Sequence, residues 1–243
     1  MQNDHGAVAL VERSLREIPA GVVTIRDAGV TQKLSPTSPR QPFFSRDVAQ
    51  PRREPRVVTV AAFSLAAVPV TQALWALGRG APAPPSMTAN QPITLVSWLD
   101  AVGFCNTLSL LAGLAPAYDI DGDGAVRDDD ASGYRLPTEA EWQHACGERP
   151  DDLDAVAWYA DNAADVVHDV GLKAANGHGL FDMLGNVWEW CEDLFDEAVY
   201  GSYRVFRGGG FADRESTLRP GVRRKSHPTY RIDDLGFRIA RRG

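Results

Sequence analysis

Gly179–Trp190 reads GLFDMLGNVWEW, and Gly133–Trp142 reads GYRLPTEAEW. In the first stretch, extended backbone puts Trp188 and Trp190 on one face and Glu189 on the other. Two indoles buried together anchor a core, and each needs an acceptor for its N–H. In the second, Thr138 and Glu141 form a Thr-x-x-Glu capping box that opens a helix at EAEWQHAC. Arg135 stands just ahead of that helix, within reach of Glu139 or Glu141.

Outward from these two anchors the chain is sparsely regular. Residues 1–17 read as an N-terminal tail or short helix, with a single domain over residues 18–243. Ile18–Ile25 (IPAGVVTI) and Val57–Leu65 (VVTVAAFSL) are strand candidates rich in β-branched residues. Between them, residues 27–56 hold five prolines and no periodicity, the signature of an irregular loop. Thr71 caps a short helix. Ser97, with an acid at Asp100, starts a longer one that Gly113 stops. Beyond Pro150 glycines recur throughout, which predicts turns and short strands. The fold class is therefore α+β with low regular content.

Composition narrows the function classes. A net charge of −7 argues against a nucleic-acid binder, which needs a positive surface. The charge is uneven: from Arg204 onward there are eleven Lys/Arg against four Asp/Glu. Those arginines either pair with the acidic body or grip an anionic partner. Three scattered cysteines, Cys105, Cys146 and Cys191, make no disulfide framework. No segment reads as a signal peptide or reaches bilayer-spanning length, so a cytoplasmic location and no membrane partner are expected.

Taken together and in order, VPVT at Val68–Thr71, VSWLDAVGFCNTL at Val96–Leu108, the two anchor stretches, RGGG at Arg207–Gly210 and GFR at Gly236–Arg238 closely resemble the formylglycine-generating-enzyme (sulfatase-modifying factor) superfamily. The resemblance covers about Ile18 to Arg241. It implies a compact α+β domain related to C-type lectins, with structural calcium. Carried onto this sequence, the calcium ligands are the Asp182 side chain, the carbonyls of Gly185 and Val187, and the Glu189 carboxylate. Such hard oxygen donors suit Ca²⁺. A second family site falls at Asn162 and Ala163, where the complementary loop is shortened. Separately, DIDGDGAVRDDD at Asp119–Asp130 places Asp119, Asp121, Asp123 and Asp130 at EF-hand loop positions, although no flanking helices fit. Either a calcium loop or a solvated acidic hairpin is open there.

The resemblance breaks at the reactive centre. The parent enzyme oxidises a substrate cysteine at copper(I) held by two thiolates, soft ligands for a soft ion. Aligned on RGG and GFR, those two positions are Asp213 and Leu218, so formylglycine generation is not expected. No close histidine pair replaces them, although His227 with Asp213 offers the start of an iron site. Two readings follow. The first is a divergent oxidoreductase-like tailoring enzyme acting on a small metabolite or peptide. Its candidate pocket is Asp213, Arg214, Arg223 and His227, with iron or copper as possible cofactor. The alternative is a non-catalytic, calcium-stabilised C-type-lectin-like binding module. Its Arg214, Arg219, Arg223 and Arg224 would hold an acidic ligand or partner.

Overall fold

A computed structural model describes residues 2–26, 54–79, 88–122 and 124–243. The chain opens with α1 (Gln2–Ser14), β1 (Leu15–Ile18), β2 (Gly21–Ile25), β3 (Arg56–Val60) and β4 (Phe63–Ala66). Next come α2 (Gln72–Arg79), α3 (Trp98–Leu111), the hairpin β5 (Tyr118–Asp121) and β6 (Gly124–Arg127), and α4 (Glu139–Cys146). After a long turn-rich stretch follow β7 (Trp188–Leu194), α5 (Glu197–Tyr200), β8 (Arg204–Arg207), β9 (Arg223–Ser226), β10 (Leu235–Phe237) and β11 (Ala240–Arg242). Among the described residues no helix is long and apolar enough to cross a membrane.

Both strand candidates near the start divide. The first breaks at Pro19–Ala20, where proline has no N–H to donate to a ladder. The second breaks at Ala61–Ala62. The halves join different sheets: β1-β4-β11 is antiparallel throughout, and β2 pairs with β3. Residues 2–14 are helical, and Ala7 and Val11 are wholly buried. Through Ala7 and Val11, α1 packs against the rest of the domain.

The third sheet, in the order β10-β7-β8-β9, carries the site. β10 runs parallel to β7, with Gly236 opposite Glu189; a Cβ on Gly236 would stand 2.3 Å from the Ile93 carbonyl oxygen. Only glycine lets β10 lie this close to the Ile93 backbone. Trp98, Trp142, Trp188 and Trp190 are all buried, and each indole N–H has an acceptor. Trp98 donates to the Cys191 carbonyl at 3.0 Å and Trp190 to the Val96 carbonyl at 3.1 Å. Trp142 donates to Glu189 at 2.8 Å and Trp188 to Asp213 at 2.7 Å. Both β7 indoles meet Phe206 edge-on, with centroids 5.2 and 5.5 Å away, while Glu189 faces the opposite side.

The helix starts form as their sequences dictate. Ser97 with Asp100, and Thr138 with Glu141, each make a reciprocal capping box. Arg135 pairs with Glu141 at 2.6 Å. Glu139 faces inward instead, and its fully buried carboxylate takes Arg207 at 2.6 Å and Arg223 at 2.7 Å.

Candidate functional site

β8 ends at Arg207 and the chain reverses through Gly208 and Gly209, at φ 106° and 85°. Side-chained residues rarely adopt this left-handed region, so the RGGG run is a conformational requirement. The reversal lays Phe211–Leu218 back across β7. There Asp213, 5% exposed, has both carboxylate oxygens bonded within the fold. Its Oδ2 accepts from the Trp188 indole at 2.7 Å and from the Gly210 N–H at 2.9 Å. Its Oδ1 accepts from Arg224 at 2.8 Å, and that guanidinium also lies 4.5 Å over the Trp188 ring. Leu218 is wholly buried in the core. Where the parent chemistry needs two thiolates, this chain has a hydrogen-bond hub and a packed leucine.

Next to the hub stands Asp234, whose Oδ2 would lie 2.9 Å from a Cβ on Gly210. Burial and the neighbouring Asp213 carboxylate push its pKa up to about 7, against the opposing pull of Arg224. The four expected pocket residues do not converge. Neighbouring strand positions face opposite ways: Arg224 points to Asp213, so Arg223 points to Glu139. Arg214 is exposed at the start of a short 3₁₀ turn. His227 lies past the end of β9, bonded to Thr229 at 2.8 Å and flanked by the rings of Tyr203 and Tyr230. Trp188, Arg224 and Asp234 are the groups that surround Asp213. Their convergence depends on the β7-β8-β9 register, which local sequence does not encode.

The basic C-terminal segment discharges largely into the acidic body. Arg204 faces Glu192, Arg207 and Arg223 share Glu139, Arg224 takes Asp213, and Arg231 takes Asp100. Arg238 takes Glu189, Arg241 takes Glu12, and Arg242 takes Asp130. Two of the four arginines expected to grip an anion, Arg223 and Arg224, thus hold the fold.

The Asp182–Glu189 segment is turn-rich, with Asp182 and Asn186 at φ 54° and 59°. Asp182 is 2% exposed; its Oδ2 accepts from the Gly171 N–H at 2.8 Å, and its Oδ1 has no hydrogen-bond partner. Burial pushes the Asp182 carboxyl up to about 6. Glu189 binds Arg238 through both oxygens, at 2.8 and 3.0 Å, and its Oε2 also accepts from Trp142. Arg238 in turn reaches the carbonyls of Ala66 and Phe181. At Asn162 the amide is already used, bonding the Tyr159 N–H, Asp154 and the Ala157 carbonyl. The Ala163 carbonyl accepts from the His168 ring.

Asp119–Asp130 forms the β5–β6 hairpin, with Asp119 opposite Val126 and Asp121 opposite Gly124. Asp119 and Asp121 point into solvent, Asp130 pairs with Arg242 at 3.1 Å, and Asp123 lies outside the described residues. The described backbone is thus an antiparallel ladder and not the wrapped loop of a helix–loop–helix. The three cysteines are buried and apart. Burial pushes the Cys146 thiol up to about 12 and raises Cys105 and Cys191 as well, so none favours the thiolate that ligates copper.

Comparison with known proteins agrees with this architecture. The chain is 28% identical to the chaperone protein LppX of Paenibacillus barcinonensis, over 76% of this chain and 81% of that one. It is 29% identical to the formylglycine-generating enzyme of Streptomyces coelicolor, over 70% of this chain but only 59% of the enzyme's length. Among solved structures, Treponema denticola variable protein 1 superimposes with a TM-score of 0.74 at 28% identity, covering 94% of this chain and 95% of that one. The sulfatase-modifying factor enzyme 1-like domain matches residues 17–243, and the chain belongs to that formylglycine-generating-enzyme family.

Proposed function

We propose that this chain is a binding member of the family, a calcium-stabilised C-type-lectin-like module that does not carry out copper–thiolate oxidation. One observation carries the reading. Asp213 is held by Trp188, Gly210 and Arg224, and Leu218 is core, so the two positions aligned with the parent thiolates serve packing. Asp182, the Gly185 and Val187 carbonyls and Glu189 fit a calcium ion as a hard oxygen set. The unpartnered Asp182 Oδ1 is a ready donor, and Glu189 Oε1 keeps acceptor capacity beside Arg238. The ion would tie the turn-rich segment to β7. The ligand is a small molecule or peptide. With Arg223 and Arg224 paired internally, exposed Arg214 and Arg219 remain the cations best placed to favour an acidic one.

A second reading, the oxidoreductase-like tailoring enzyme with an iron or copper centre, is favoured by Asp234. A carboxyl poised near neutrality beside a saturated ion pair has the properties of an acid–base group. Metal content by mass spectrometry, with oxygen uptake measured against thiols and amines, separates the two. Calcium alone with no oxygen uptake is the expected result. Stoichiometric iron or copper with turnover would reverse the assignment.

A further inference from the structure

The family resemblance puts a second cation at Asn162 and the Ala163 carbonyl, and in this fold protein groups already close that place. The Ala163 carbonyl accepts from the His168 ring at 2.9 Å. A carbonyl can only accept, so His168 carries a proton on Nε2. The neighbouring Asn162 amide is occupied as well. Its Oδ1 accepts from the Tyr159 N–H at 2.9 Å, and its Nδ2 donates to Asp154 at 2.9 Å and to the Ala157 carbonyl at 3.1 Å. Ca²⁺ needs about six to eight oxygens, and both donors the family supplies here are engaged with the chain itself.

His168 is held from several directions. Its backbone N–H donates to Asn186 Oδ1 at 3.0 Å, and its carbonyl accepts from Asn186 Nδ2 at 3.1 Å. The Asn186 N–H donates to the Trp158 carbonyl at 2.7 Å, so one wholly buried asparagine fixes both residues. Their rings stack, with centroids 3.8 Å apart and planes 10° from parallel. A stack that close leaves no room on that indole face, so Lys173, with Nζ 4.0 Å from the same centroid, covers the other. Within the closed turn, Ala164 and Asp165 are consecutive left-handed residues, at φ 53° and 59°. Side chains disfavour that conformation, and it persists where the surroundings impose it. The bond from His168 back to Ala163 spans this strained pair.

We propose that the His168 imidazole replaces the second ion: it pins the 163–168 turn to Asn186, and the chain takes no cation at Asn162 and Ala163. A cation and an N–H both satisfy a carbonyl oxygen, and the N–H comes with the chain and needs no free ion. The geometry of this turn is then independent of calcium, whether or not the Asp182–Glu189 segment binds an ion of its own.

Long-range ¹H–¹⁵N NMR of the histidine rings in the full chain reads the bond, with His168→Gln supplying the assignment. His168 should keep its proton on Nε2 in EDTA and in excess Ca²⁺ alike. Equilibrium dialysis with radioactive calcium should give Asn162→Ala, checked as folded by circular dichroism, the same bound calcium as the parent. His168→Ala should lower Tm by about 4–8 °C in EDTA, from one lost hydrogen bond and one lost ring stack. The proposal is overturned if Ca²⁺ moves the proton off Nε2, if folded Asn162→Ala loses bound calcium, or if His168→Ala melts at the parent's temperature. A parent that binds no calcium at all would remove the ion from Asp182–Glu189 and leave this assignment standing.

Discussion

Replacing Asp213 with alanine separates a structural role from a chemical one. The substitution strands the Trp188 indole N–H and the Gly210 N–H and removes the Asp213 carboxylate from Arg224, which is only 13% exposed. A stranded buried donor costs about 1–3 kcal/mol, and breaking one side of a buried ion pair about 3–5 kcal/mol. These overlap, because the pair's loss includes its hydrogen bonds, so the net destabilisation is about 4 kcal/mol. For a chain of this size each kcal/mol moves Tm by about 2–4 °C, so a fall of roughly 10 °C is expected. Circular dichroism melts, with urea titration to confirm an unchanged m-value, read it directly. A Tm within about 2 °C of the parent would refute the hub and return Asp213 to the list of free, ligand-facing groups.

Asp234 gives a pH signature. Its folded pKa, about 7, lies above its unfolded value, so the folded state holds the extra proton between the two. Stability from this group is therefore greatest at low pH, falls as pH rises from about 4, and is fully lost above about 7. Subtracting the Asp234→Asn stability curve from the parent's should show that decline, and a flat difference would contradict it. Glu189→Gln leaves the buried Arg238 without its counter-charge and should lower Tm by about 10 °C, since a broken buried pair costs about 3–5 kcal/mol. It should also remove the rise in Tm on adding Ca²⁺; a calcium response that survives would put the ion elsewhere. Converting exposed Asp119 and Asp121 to asparagine together should leave the calcium response untouched, because the hairpin spreads them along a strand. Loss of response in that double variant, followed by melting, would make the hairpin the calcium loop.

What the sequence disclosed was mostly local. The capping boxes at Ser97 and Thr138 were legible because both partners lie within one helical turn, and the same is true of Arg135 with Glu141. The alternation that placed Trp188 and Trp190 together was equally readable. The acceptors of the indoles were not: Trp98 bonds a residue ninety-three positions away, and Trp190 one ninety-four away. Glu139 was a plausible partner for Arg135, yet burial gave it to Arg207 and Arg223, which only strand register brings within reach. The candidate pocket failed to assemble for the same reason. Asp213 precedes β9 and is bonded to Arg224, His227 follows its end among Thr229, Tyr203 and Tyr230, and one step along the strand separates Arg223 from Arg224 by a whole sheet face.

The sheet β1-β4-β11 joins residues 15–18 and 240–242 to the two edges of one central strand. During synthesis that central strand waits, with one flank unpaired, until residue 242 has cleared the ribosome. An unpaired strand edge is a template for wrong partners, so the arrival of residues 240–242 sets how long the nascent chain is exposed to misassembly. Slow translation between β4 and β11 would extend that interval, and deleting Ala240–Arg242 would make it permanent.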